Sequence, residues 1–118
     1  VLLRWLPVLA WMGVIFAASS SPFGGESAGV PDWVAHACAY LVLSLLVCRA
    51  LAGRFRAPLS AGGALLATLL STAYGVSDEY HQSFVPGRDA SARDVASDFA
   101  GSALGAVGYG LAARRKSD

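Results

Sequence analysis

The stretch Val34-Ala35-His36-Ala37-Cys38-Ala39-Tyr40-Leu41-Val42-Leu43-Ser44-Leu45-Leu46-Val47-Cys48-Arg49-Ala50-Leu51-Ala52 carries no Asp, Glu, Lys or Arg before Arg49. A segment of that length and polarity matches the roughly 17–25 apolar residues that a helix needs to cross a bilayer. Trp5 to Ser20, Ala57 to Ser77 and Val95 to Ala113 read the same way, the first being the shortest. In hydrocarbon the backbone must satisfy its own hydrogen bonds, so each stretch is expected to be a helix. Composition agrees. Of 118 residues, 55% are hydrophobic and 14% charged, against about 25% charged in soluble domains. Too few polar side chains remain to coat a water-facing globule.

The links between the stretches differ in charge. Arg4 precedes the first, and Ser21 to Trp33 holds Glu26 and Asp32 without Lys or Arg. The second link has Arg49, Arg54 and Arg56, while Asp78 to Asp94 mixes acids with Arg88 and Arg93. The tail carries Arg114, Arg115 and Lys116. Short basic loops stay cytoplasmic. The expectation is an all-α fold, a four-helix transmembrane bundle with N- and C-termini inside, in one domain over residues 1–118. Its helices fall at about 5–20, 34–52, 57–77 and 95–113. Arg4 followed by Ala17-Ala18-Ser19 also suits a cleaved signal peptide, an event that would undo this topology. Cys38 and Cys48 would lie about 15 Å apart on a helix at ~1.5 Å per residue, too far for a disulfide. They read as small buried apolar residues. Net charge is +1, so no nucleic-acid partner is expected.

The polar residues gather in the two outward links and the helix ends beside them. Asp32, His36 and Tyr40 recur every four residues and share a helix face. Asp32 suits an N-cap, and His36, a turn deeper, suits a base or metal ligand. Asp78, Glu79, His81 and Gln82 follow the third apolar stretch, where carboxylates at a helix C-terminus oppose the macrodipole. Val85-Pro86-Gly87-Arg88 suits a type II turn that would swing Arg88 back over that end. A guanidinium there can grip a carboxylate or a phosphate at two points. Ser91-Ala92-Arg93-Asp94 fits a capping box opening the fourth helix. Asp98, one turn deeper, is an intramembrane carboxylate and points to function or to an interhelix partner. Ser97, Gly101 and Gly105 form a small-residue stripe suited to close helix packing.

These residues resemble the VanZ-like family of small membrane proteins, named for a member associated with resistance to the glycopeptide teicoplanin. The resemblance rests on Asp32-x-x-x-His36-x-x-x-Tyr40 and on Asp78-Glu79-x-His81-Gln82-x-Phe84-x-Pro86-Gly87-Arg88. A third match is Ser91-x-x-Asp94-x-x-x-Asp98-x-x-Gly101-x-x-x-Gly105. Two positions depart from it: Trp33 stands where the family usually has Lys, and Asp98 where it usually has Asn. The resemblance implies a multi-pass protein of the bacterial cytoplasmic membrane with an influence on glycopeptide susceptibility.

Two functional readings follow. In the first, His36, His81 and Arg88 engage an anionic head group, from a membrane lipid or a lipid-linked peptidoglycan precursor. Asp78, Glu79, Asp94 and Asp98 orient these groups or hold a compensating cation. In the alternative, the cluster is the site of a membrane enzyme: the histidines move protons, Asp78 or Glu79 orients one of them, and Arg88 stabilises phosphate charge. No Ser or Cys sits in a recognised nucleophile motif. A divalent metal is compatible with both, with His36, Asp78, His81 and Asp98 as candidate ligands. A purely structural role for the cluster would make substitutions at Asp78, Arg88 and Asp98 chiefly lower stability.

Overall fold

The computed structural model describes residues 2–20, 31–54, 57–86 and 92–117, with backbone alone from Arg114 onward. A 3-10 turn at Leu2–Trp5 leads into four α-helices: α1 (Leu6–Ser19), α2 (Asp32–Ala52), α3 (Ala61–Gln82) and α4 (Ala92–Ser117). Among the described residues there is no strand.

The boundaries have local causes. Pro7 lies in the first turn of α1, where a missing N–H breaks no helical bond. Pro31, in an extended conformation, is the N-cap of α2, and its carbonyl accepts from Val34 N (3.1 Å) and Ala35 N (3.2 Å). Asp32 is therefore the first helical residue rather than the cap, with its carboxylate in the positively polarised first turn. Gly53 ends α2 in the left-handed region (φ 96°), which only Gly enters freely. The start of α3 is Ala61, later than the apolar run, because the Ser60 hydroxyl caps it by accepting from Gly63 N at 3.0 Å. The same helix continues past Ser77 to Gln82, since Asp78, Glu79 and Gln82 turn inward and are buried. At the start of α4, Ser91 of the expected capping box lies outside the described residues, as do Gly87 and Arg88 of the expected turn.

Helices consecutive in sequence run antiparallel, and α2 and α4 therefore run parallel, Gly101 facing Ala37 and Gly105 facing Leu41. The Tyr109 hydroxyl donates to Ala57 O (2.7 Å) and Arg54 O (3.2 Å) in the α2–α3 link. The Arg4 guanidinium approaches Gly53. Arg4, Arg49 and Arg54 thus share one end, and the other end collects the close of α1, the start of α2, the close of α3 and the start of α4.

Gly101 and Gly105 bring α4 against α2. A Cβ on Gly101 would lie 2.8 Å from Ala37 C and inside the shell of its carbonyl oxygen, and one on Gly105 would lie 2.5 Å from Leu41 O. Ser44 Oγ donates to Ser102 O at 2.7 Å between them. Side-chain donors tie α1 to its neighbours: Trp11 Nε1 to Ala39 O (2.8 Å), and Tyr74 Oη to Met12 O (2.7 Å).

Polarity is inverted relative to a water-soluble domain. The interior holds Ser44, Ser71, Ser102, Thr68 and several ionisable groups, whereas Leu65, Leu69, Phe99, Leu104, Val107 and Leu111 are exposed. Water favours the opposite arrangement, and hydrocarbon this one. Among the described residues, Leu2–Ser19 and Asp32–Ala52 are long and apolar enough to cross a membrane. Both cysteines are free. Cys48 is buried as expected, while Cys38 is exposed, its position on α2 turning it away from the other helices.

Candidate functional site

The four-residue spacing of Asp32, His36 and Tyr40 aims all three into the polar end, toward α3 and α4. His36 is buried, and its Nδ1 lies 2.8 Å from Oδ1 of Asp98 on α4. Asp98 is completely buried. With Asp98 as a carboxylate, which only accepts, Nδ1–H donates to it and the ring is held with Nε2 facing Asp32. There Asp32 Oδ2 stands 3.5 Å from Nε2. Asp94, one turn before Asp98, joins them: one ligand atom each from Asp32, His36 and Asp94 lie within 4.8 Å of one another. Asp32 and Asp94 occupy first helical turns, where negative charge is favoured.

Gly75 of α3 makes room for Asp98. A Cβ there would come within 2.6 Å of Asp98 Oδ2. That oxygen accepts no hydrogen bond from the described residues.

One turn further along α3, Asp78 and Gln82 face the same interior. Tyr40 Oη donates to Asp78 Oδ2 at 3.4 Å, and Gln82 Nε2 approaches Asp78 Oδ2 (3.5 Å) and Ser19 Oγ (3.3 Å). These are long, weak bonds. Asp78 Oδ1 and Gln82 Oε1 have no hydrogen-bond partner among the described residues. Asp32, His36, Tyr40, Asp78, Gln82 and Ser19 together line a cavity of about 90 Å³. Asp78 and Asp94 lie close enough to Asp98 to interact with it electrostatically.

A family model described as VanZ/LLP1 matches residues 4–113. The chain belongs to the VanZ/LLP1 family. No curated protein and no solved structure matches it. Family membership and two helices of spanning length point to a membrane protein.

In this VanZ/LLP1 chain the candidate residues divide into groups. His36, Asp32, Asp94 and Asp98 converge, and Tyr40, Asp78 and Gln82 adjoin them across the cavity. Glu79 is buried in the same turn of α3. His81 faces elsewhere. Its Nε2 is 3.0 Å from Ser20 Oγ, and its ring stacks on Phe16 at 4.5 Å. Three residues past Asp78 it is rotated by about 60° from that side chain at ~3.6 residues per turn, enough to give it to α1, while Gln82 at the fourth position stays inside. Of the expected ligand set His36, Asp78, His81 and Asp98, the structure pairs His36 with Asp98 and places His81 against α1. Among the described residues the compact set is Asp32, His36 and Asp94. Arg88 lies outside the described residues.

Two contributors escaped the sequence reading. Ser19 sits in the stretch that resembles a leader-peptide end and showed no sign of reaching Gln82. Gly75 is an isolated helical glycine whose spacing relates to nothing in its own helix. Its role depends on Asp98 of α4.

Proposed function

We propose that this VanZ/LLP1 protein crosses the bacterial cytoplasmic membrane four times with both ends inside. Its polar end faces outward and engages the phosphate-bearing head group of a membrane lipid or of a lipid-linked cell-wall precursor. The observation that carries this reading is the buried acid–histidine cluster with its cavity at the end opposite Arg4, Arg49 and Arg54. Basic loops favour the cytoplasmic side, and a leucine-faced helix assembly delivers such a cluster to the water–lipid boundary. The described walls are acidic, so an anionic head group has to be met by cations at the mouth of the site. Arg93, exposed in the first turn of α4, and Arg88 of the family motif are the basic side chains in this part of the sequence. Occupancy by a wall precursor would lower its access to glycopeptides, the role with which the family name is associated.

Native mass spectrometry of protein extracted in mild detergent tests the ligand. Wild type should retain a phosphate-bearing lipid in excess of its share in the membrane, and the Arg88→Ala, Arg93→Ala variant should lose it. Retention of lipids only in bulk proportion would refute the reading. Topology is tested with single cysteines at Ser27 and Ser83 in a Cys38→Ala, Cys48→Ala background. Both should react with an impermeant maleimide in intact cells; reaction only after permeabilisation reverses the orientation.

One observation favours enzymatic chemistry as a second reading. Asp98 holds His36 by one nitrogen and leaves the other facing the cavity side, an arrangement suited to general base catalysis. A supplied lipid precursor that changes mass with wild type, but not with His36→Ala, would select it; an unchanged mass selects the binder.

A further inference from the structure

The geometry points to a divalent transition-metal site formed by Nε2 of His36 and the carboxylates of Asp32 and Asp94, with Asp98 behind the imidazole. This goes beyond head-group engagement and holds whichever way that reading falls. Three ligand atoms from two helices converge within 4.8 Å, and the α2–α4 contact through Gly101 fixes the distance between those helices. His36 donates from Nδ1 to Asp98 Oδ1 at 2.8 Å, the carboxylate–histidine relation that orients metal-bound imidazoles and fixes their tautomer. In that tautomer the Nε2 lone pair faces Asp32 Oδ2 at 3.5 Å. Two acceptors so close repel unless a positive species, a proton on Nε2 or a metal ion, lies between them. One imidazole and two carboxylates are the mixed donor set that suits zinc, manganese or iron(II).

A second observation is independent of these three residues. Asp78 and Gln82, 4% and 1% exposed, leave Oδ1 and Oε1 without hydrogen-bond partners among the described residues. Both line the cavity that Asp32 and His36 also line, and its volume is about 90 Å³. A single water needs roughly 10–15 Å³ of such space, so the cavity has room for several. Buried acceptors carry a desolvation penalty until a donor reaches them. Waters on a metal at Nε2 would be strong hydrogen-bond donors, and Asp78 and Gln82 line the same cavity as His36. The ion would thereby join α2, α3 and α4.

The test uses the full chain, freed of any histidine tag, in detergent. Zn²⁺ and Mn²⁺ are titrated separately by calorimetry, with Mg²⁺ as a comparison. Wild type should bind one equivalent of Zn²⁺ or Mn²⁺. His36→Ala and Asp94→Asn should weaken binding at least tenfold, and Asp98→Asn by roughly 10–100-fold, the range for a residue that supports a ligand from behind. Asp32→Asn, a change at the half-exposed mouth, should also weaken binding at least tenfold while helical circular dichroism stays as in wild type, which separates ligand loss from misfolding. Absence of a bound equivalent would mean that a proton bridges His36 and Asp32, and would overturn the site. Binding that survives Asp32→Asn and His36→Ala, or that occurs with Mg²⁺ alone, would overturn it equally.

Discussion

Gly101→Ala is the substitution for which the structure supplies the clearest magnitude. The added carbon would lie 2.8 Å from Ala37 C, whereas ordinary contact begins at 3.4 Å. The obstacle is backbone, which has no rotamer to yield. The helices must therefore separate by about 0.6 Å against that atom alone, and by more against the carbonyl oxygen. Overpacking of this kind costs about 1–3 kcal/mol. Separation also stretches the His36–Asp98 and Ser44–Ser102 bonds, which flank the contact at 2.8 and 2.7 Å. Against this, alanine in place of a helical glycine gains roughly 1 kcal/mol. These two terms leave a net loss of about 0–2 kcal/mol, and weakening of the two bonds, each worth about 0.5–1.5 kcal/mol, adds to it. Gly108→Ala is the control, because a Cβ there meets nothing within 4 Å. It should be neutral or slightly stabilising. Equilibrium unfolding in mixed micelles, with both variants beside wild type, reads the difference. Equal behaviour of the two variants would refute the close α2–α4 approach.

Further predictions rest on other contacts. Asp98→Asn keeps an oxygen for the His36 Nδ1–H and should fold with near-wild-type thermal stability, whereas Asp98→Ala strands that donor and should lose about 1–3 kcal/mol; equal melting of the two would contradict the pairing. Trp11→Phe and Tyr74→Phe each delete a donor to a helical carbonyl, so each should lower stability by about 0.5–1.5 kcal/mol in the same micelle assay, and unchanged midpoints would show that these bonds do not hold α1. His81→Ala removes the Phe16 stack and the Ser20 contact; zinc affinity should stay within twofold of wild type, and a tenfold loss would return His81 to the ligand set.

The helices were legible because hydrocarbon leaves the backbone few options and because long apolar runs announce themselves. Their ends were less so. Residues 78–82 look like a polar link when hydropathy alone is followed, yet they continue α3 because their side chains turn inward. Proximity within one helix was also readable: the Asp32–His36–Tyr40 face needs only the helical period. What the sequence does not display is the azimuth of one helix against another. It therefore left Asp94 as a supporting residue without a stated distance to His36, grouped His81 with Asp78, and left Gly75 without a purpose. The glycine stripe on α4 announced a close contact, but only the packed structure supplies α2 as the partner.

Ile15, Ala18 and Ser19 form one wall of the small cavity, so the segment with the look of an export leader is masonry. Were a peptidase to cut after Ser19 and the fragment to drift away, the cavity beside Asp78 and Gln82 would lose that wall. Such a remnant would face a choice between recruiting a substitute helix and leaving those buried polar groups uncovered.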